Sequence, residues 1–93
     1  MNVELSNQGW TIFTKNDCLY CKKVKILVPE ARFIESDTFL AENRDVFLAT
    51  LDTWTGKEYR KFPMVFLEKR FIGGYTETKT YVDDMNTFDM VDF

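Results

Sequence analysis

Cys18 and Cys21 are the chain's two cysteines, three residues apart in Cys18-Leu19-Tyr20-Cys21, behind an apolar run and at the head of a helix-like one. Residues so spaced at the start of a helix have Cα atoms about 5 Å apart, inside the window that a disulfide accepts. The pair can open and close with little backbone movement, which is redox chemistry. A helix N-terminus carries roughly half a positive charge and free N–H groups, and these favour a thiolate at Cys18. Cys18 is therefore read as the nucleophile and Cys21 as the resolving thiol, which attacks Cys18 to release what it has captured. Other uses of the pair fit less well. A structural disulfide would close a loop too short to remove much unfolded-state entropy. Zinc needs four ligands, usually Cys and His, and the chain has 2 cysteines and 0 histidines. Without an imidazole base, activation falls to the helix end, to backbone N–H groups and to the lysines nearby. Asp17, beside the nucleophile, acts against them.

The elements that must position these thiols are legible as hydrophobic patterns. Trp10 to Thr14, aromatic and β-branched, predicts a strand, and Asn16-Asp17 breaks it. From Cys18 to Val28 the apolar positions Cys21, Val24, Leu27 and Val28 recur at helical spacing, and Pro29 ends that helix through its effect on Val28. Ala31 to Glu35 is a second strand candidate. Asp37 is the expected N-cap of a second helix with a buried stripe of Leu40, Val46, Phe47, Leu51 and Trp54, stopped by Gly56. After a basic stretch through Lys57, Arg60 and Lys61, the run Phe62-Pro63-Met64-Val65-Phe66-Leu67 predicts a strand beginning at its proline. Glu68-Lys69 is a tight turn, Arg70-Phe71-Ile72 returns antiparallel, and Gly73-Gly74 marks a turn with unusual backbone angles. Thr76 with Glu77 opens a last helix whose apolar side is Tyr81, Val82, Met85 and Phe88. The order β-α-β-α-β-β-α predicts an α/β fold. Helices cover both faces of a four-stranded mixed sheet whose first two strands are parallel through a right-handed crossover. Both thiols then lie at the C-terminal edge of the sheet, where open α/β sheets bind ligands.

At 93 residues and 45% apolar content, the chain suits one modest core and a single domain over residues 1–93. Two cysteines are too few for a disulfide-stapled secreted protein, and Met1 to Trp10 has neither a basic leader nor an apolar signal-like stretch, so a reducing, cytoplasmic setting is expected. No run approaches membrane-spanning length. A net charge of -3 argues against nucleic acid as a partner. That charge is unevenly placed. Lys15, Lys22, Lys23 and Lys25 surround the cysteines, while Asp83, Asp84, Asp89 and Asp92 load the far end.

Three separated stretches resemble the glutaredoxin branch of the thioredoxin superfamily in order and spacing, over Trp10 to Met85. They are Lys15-Asn16-Asp17-Cys18-Leu19-Tyr20-Cys21, Phe62-Pro63-Met64-Val65-Phe66 and Phe71-Ile72-Gly73-Gly74. The resemblance implies a thioredoxin-like fold. It also implies a glutathione-dependent thiol–disulfide oxidoreductase that reduces protein disulfides and glutathione mixed disulfides, a monomer serving electron transport and cell redox homeostasis. Pro63 would be a cis-proline facing the dithiol, leaving the backbone of Phe62 free to pair with an extended thiol substrate. Glutathione, a co-substrate and not a tightly bound cofactor, would lie against Lys15, Tyr20, Phe62, Pro63, Gly74, Tyr75, Thr76 and Glu77, with Lys61 or Arg60 adding a carboxylate contact. The chain departs from the common family pattern at Leu19, where proline is usual between the cysteines, at Lys61-Phe62, where a small or β-branched pair is usual, and at Thr76, where aspartate is usual. Two further functions stay open. One is a redoxin recharged by thioredoxin reductase that donates electrons to ribonucleotide reductase. The other is a carrier in which two chains and two glutathione molecules share a [2Fe-2S] cluster through Cys18; exchange is preferred to both.

Overall fold

Alternation along β1 (Trp10–Thr14) divides the core in two. Successive strand residues face opposite sides of a sheet, so Ile12 and Phe13, both fully buried, enter different clusters. The computed structural model describes residues 3–91 and gives a four-stranded sheet in the order β2-β1-β3-β4. β2 (Arg32–Glu35) runs parallel to β1, with Ile12 opposite Phe33 and Phe13 opposite Ile34. β3 (Met64–Leu67) runs antiparallel on the other side, with Ile12 opposite Val65 and Phe13 opposite Met64. β4 (Arg70–Gly73) closes the hairpin through Glu68, at φ 56, with a register irregularity at Val65 and Phe66. The mixed sheet and its parallel first pair follow the sequence expectation.

Both faces are covered, as the continuous apolar character of β3 demands. On one face Ile12 and Val65 meet Val24 of the first helix, α1 (Leu19–Leu27), its C-cap Val28, and Tyr75 and Val82 of the last helix. On the other, Phe13, Met64 and Phe66 meet Phe47 and Leu51, with Leu40 and Trp54 partly buried around them. Each such aromatic contributes roughly 2–3 kcal/mol by its burial, and Phe13 touches Phe47, Phe66 and Trp54 at ring separations of 5.8–6.1 Å.

Several expectations are corrected. The single second helix is two, α2 (Asp37–Glu42) and α3 (Arg44–Thr55), broken at Asn43 with φ -136 and ψ 41. The break lets Phe39 stack on Phe47 at 5.0 Å and 18°. The N-cap of α2 is Ser36, so Asp37 is its first helical residue. Val46 is 59% exposed, because one residue is about 100° of helix rotation and the buried line already runs through Phe47 and Leu51. The strand after the proline starts at Met64, leaving Phe62 and Pro63 in the approach to it. Gly56 does end α3 in the left-handed region, at φ 78.

The last helix, α4 (Tyr75–Val91), begins one residue earlier than expected. Among its residues whose burial is described, Thr78 is the buried one, with Tyr81 and Val82 half-buried. Tyr81 meets Trp10 edge-on at 5.6 Å. Met85, expected on the apolar side, is 50% exposed, and it is Val82 that packs against the cluster. Phe88, Asp89 and Asp92 lie outside the residues whose burial or placement is described.

Candidate functional site

Strand β1 delivers the chain to the dithiol through a short loop. Asp17 takes φ 55, a left-handed conformation that Asp tolerates better than most residues. The loop is tied to the neighbouring crossover: Asn16 N–H donates to Asp37 Oδ2 at 3.0 Å, and Ser36 N–H donates to Thr14 O at 2.8 Å. Asp37 thus braces the segment before the thiols and does not cap its own helix.

Cys18 is the N-cap of α1, extended at φ -121 and ψ 106, and its Sγ accepts the N–H of Cys21 at 3.2 Å. A thiol at an N-cap therefore takes the place usually held by a Ser or Asp oxygen, receiving one of the free N–H groups of the first turn. Its S–H points at Phe62 O, 3.6 Å away. Cys18 is partly exposed, Cys21 is 2% exposed, and both are free thiols. Burial first, then the hydrogen bond to Cys18, push the Cys21 thiol from 9.0 up to about 12, against the opposing pull of the Lys15 backbone N–H and the Lys25 ammonium. One sulfur is presented to solvent, and the other is kept protonated one turn behind it.

The peptide bond Phe62-Pro63 is cis, and beside it lies a groove of about 300 Å³. Eight residues expected from sequence line it together: Tyr20, Lys61, Phe62, Pro63, Gly74, Tyr75, Thr76 and Glu77. Tyr20 and Tyr75 face each other at 5.7 Å, and the Lys23 ammonium sits over both rings, 5.0 and 5.9 Å from their centres. Lys15 stands outside the lining but lies 5.7 Å over the ring of Phe62. Arg60 is not brought in: its guanidinium makes a two-pronged pair with Asp52 of α3, at 2.6 and 3.1 Å. Of the two candidate carboxylate contacts, the groove holds Lys61.

Backbone and side chains close the far end. Gly73 adopts φ 135, which excludes a Cβ on conformational grounds. Gly74 N–H donates to Glu77 Oε1 at 2.8 Å, and the buried Thr78 hydroxyl donates back to Gly74 O at 2.8 Å, so both main-chain groups at the start of α4 are satisfied. Gly74 has its own reason to lack a side chain, since a Cβ there would come within 2.9 Å of the Tyr59 hydroxyl.

One groove residue has no sequence signal pointing to the site. Tyr59 sits in the polar stretch before the proline and lines the groove only because the sheet folds its ring onto Phe71, edge-on at 5.0 Å. Lys23, one of the lysines that the sequence places around the cysteines, stands outside the lining and reaches the site through the rings of Tyr20 and Tyr75. A larger hollow of about 470 Å³, lined by Glu4, Leu5, Asn7, Thr53, Trp54 and Lys69, contains no thiol, so size alone does not mark the reactive site. Among the described residues no three His, Cys, Asp or Glu side chains gather to hold a metal.

No family model matches the chain, and no curated protein matches it. Solved structures do. A buckwheat glutaredoxin–glutathione complex is 29% identical, covers 87% of this chain and 74% of its own, and superposes with a TM-score of 0.67. The holo form of glutaredoxin C1 from Populus tremula x tremuloides is 25% identical over 85% of this chain and 78% of its own, TM-score 0.66. Glutaredoxin 1 from Francisella tularensis, in complex with cacodylate, shares the fold at 24% identity, 85% and 96% coverage and TM-score 0.69. The chain thus shares the thioredoxin-like fold of these glutaredoxins and carries a free thiol pair at C-x-x-C spacing at the head of its first helix, an arrangement that supports a thiol–disulfide oxidoreductase kind of activity.

Proposed function

We propose that the chain is a glutathione-dependent thiol–disulfide oxidoreductase that reduces glutathione mixed disulfides and protein disulfides through Cys18 and Cys21. The observation that carries this reading is the asymmetry of the pair: Cys18 Sγ is partly exposed and receives the Cys21 N–H at 3.2 Å, while Cys21 is buried behind it. Cys18 Sγ attacks the glutathione sulfur of a mixed disulfide. A bond forms between the two sulfurs, the old disulfide breaks, and the substrate leaves as a thiolate that takes a proton from water. With a protein disulfide the captured partner is the protein itself, and Cys21 attacks Cys18 Sγ to release it, closing the Cys18–Cys21 disulfide.

The thiol ordering fits this sequence. While Cys18 is free, its hydrogen bond and charge help hold the proton on Cys21. Once Cys18 is in a mixed disulfide both influences end, leaving burial opposed by the Lys15 N–H and Lys25. Capture therefore eases deprotonation of the resolving thiol. Glutathione as the reductant is supported by the groove, which offers Lys61 to a carboxylate, two tyrosine faces to the peptide body and Glu77 to an ammonium. The buckwheat neighbour was solved with glutathione.

The test is to supply oxidised protein with glutathione, glutathione reductase and NADPH, or with thioredoxin reductase and NADPH, and to follow nicotinamide consumption with a small disulfide substrate. Turnover in the first mixture is expected. Turnover only in the second would replace glutathione by a reductase-fed cycle.

A further inference from the structure

Tyr59 is absent from the positions that the family resemblance marks, yet it lines the groove beside Gly74. Its ring is fixed by the edge-on contact with Phe71 and by the core cluster of Phe66 and Met64. Its hydroxyl is thereby carried over Gly74, next to Glu77. A Cβ on Gly74 would lie 2.9 Å from the Tyr59 hydroxyl and 3.5 Å from Glu77 Oε1, so the two polar groups converge on the same small volume. Among the described residues the Tyr59 hydroxyl makes no hydrogen bond. Glu77 spends Oε1 on Gly74 N–H, and among the described residues its Oε2 has no partner. Burial and the neighbouring Glu77 carboxylate raise the Tyr59 phenol above its ordinary value, so it keeps its proton and acts as a donor.

A donor and an anionic acceptor side by side match one common chemical group. An amino-acid head presents a carboxylate, which a phenol can bond, and an ammonium, which a carboxylate can bond, on a single carbon. A lone acid or a lone amine would satisfy only one of the two. We propose that Tyr59 is a specificity-determining residue of the groove, whose hydroxyl, paired with Glu77, recognises the zwitterionic amino-acid head of a γ-linked thiol peptide. The inference rests on the exchange reading given above and adds to it the residue that selects the head group. A packing role alone would need the ring and not the hydroxyl.

The substitution Tyr59→Phe keeps the ring and removes only the donor. The experiment follows release of a fluorescent cysteine peptide when reduced wild type or Tyr59→Phe attacks its mixed disulfide with glutathione, with cysteamine, or with a glutathione analogue lacking the γ-glutamyl α-carboxylate. Single-turnover mixing needs no recycling reductant. Tyr59→Phe should react about tenfold more slowly with the glutathione mixed disulfide, the worth of one hydrogen bond to a charged group. With the other two it should match wild type. Glu77→Gln should instead lose discrimination against an analogue lacking the amino group. Equal slowing on all three substrates, or no slowing on any, overturns the role of Tyr59 and leaves dithiol exchange standing. Failure of wild type to release peptide from any mixed disulfide overturns the exchange reading itself. Thermal melting of Tyr59→Phe separates lost folding from lost recognition.

Discussion

Cys21 carries a quantitative signature that can be read without any substrate. In the folded, reduced chain its thiol keeps the proton up to about 12, against an ordinary value of 9.0. Unfolding removes the burial and the Cys18 hydrogen bond that hold it there. Below pH 9 the thiol is protonated in both states, and the contribution to stability is whole. As the pH rises, the unfolded chain ionises first and is favoured by about 1.4 kcal/mol per pH unit. The accumulated loss approaches about 4 kcal/mol near pH 12, a large share of the roughly 5–15 kcal/mol that holds a typical domain together. Urea unfolding of reduced wild type and of Cys21→Ser, followed by tryptophan fluorescence between pH 8.5 and 11, isolates the effect. Other groups titrate in both proteins, and a serine hydroxyl does not titrate in this range. Wild type should lose stability relative to the variant with the slope given above. Cys18→Ser should show a shallower loss, because the second-largest cause holding the Cys21 proton is removed. Parallel curves for wild type and Cys21→Ser would refute the reasoning, and with it the picture of Cys21 as the sheltered thiol.

Three other outcomes follow from the site. Cys18→Ser should abolish thiol transfer, whereas Cys21→Ser should spare reduction of glutathione mixed disulfides and impair reduction of protein disulfides; equal loss of both activities would contradict the division of roles. Gly73→Ala should destabilise the chain by about 1–3 kcal/mol, because φ is 135 and the new Cβ would meet Glu77 Cγ at 2.7 Å, a cost measurable by chemical denaturation. Arg60→Ala should leave the KM for a glutathione mixed disulfide unchanged, since Arg60 is spent on Asp52, and Lys61→Ala should raise it; steady-state kinetics decide.

The parts of the fold that were legible in the sequence are those where local pattern and tertiary demand agree. β1 matches its expected residues, and α1 and the β3–β4 hairpin differ from theirs by about one residue, because period, breaker and turn residues all point the same way there. The break at Asn43 was not legible. Nothing at Asn43 demands it locally; the stacking of Phe39 on Phe47 that it permits is a tertiary event. Val46 and Met85 read as buried from apolar character alone, but each is turned outward, at 59% and 50% exposure. In the groove, residues adjacent to a motif were found and residues delivered from elsewhere were not. Tyr59 depends on Phe71 of the next hairpin strand, and Arg60, its neighbour, is turned away by Asp52 on α3. Neither pairing has a spacing that a single sequence displays.

The central claim is that the two sulfurs differ in kind, one presented for attack and one held back. Limited alkylation of the reduced native chain with iodoacetamide at pH 7, mapped by peptide mass spectrometry, measures this directly. Label should appear on Cys18 well before Cys21, and Cys21 should label at a comparable rate only after unfolding in urea. Labelling of Cys21 as fast as Cys18 in the native chain, or no labelling of either, would contradict the account.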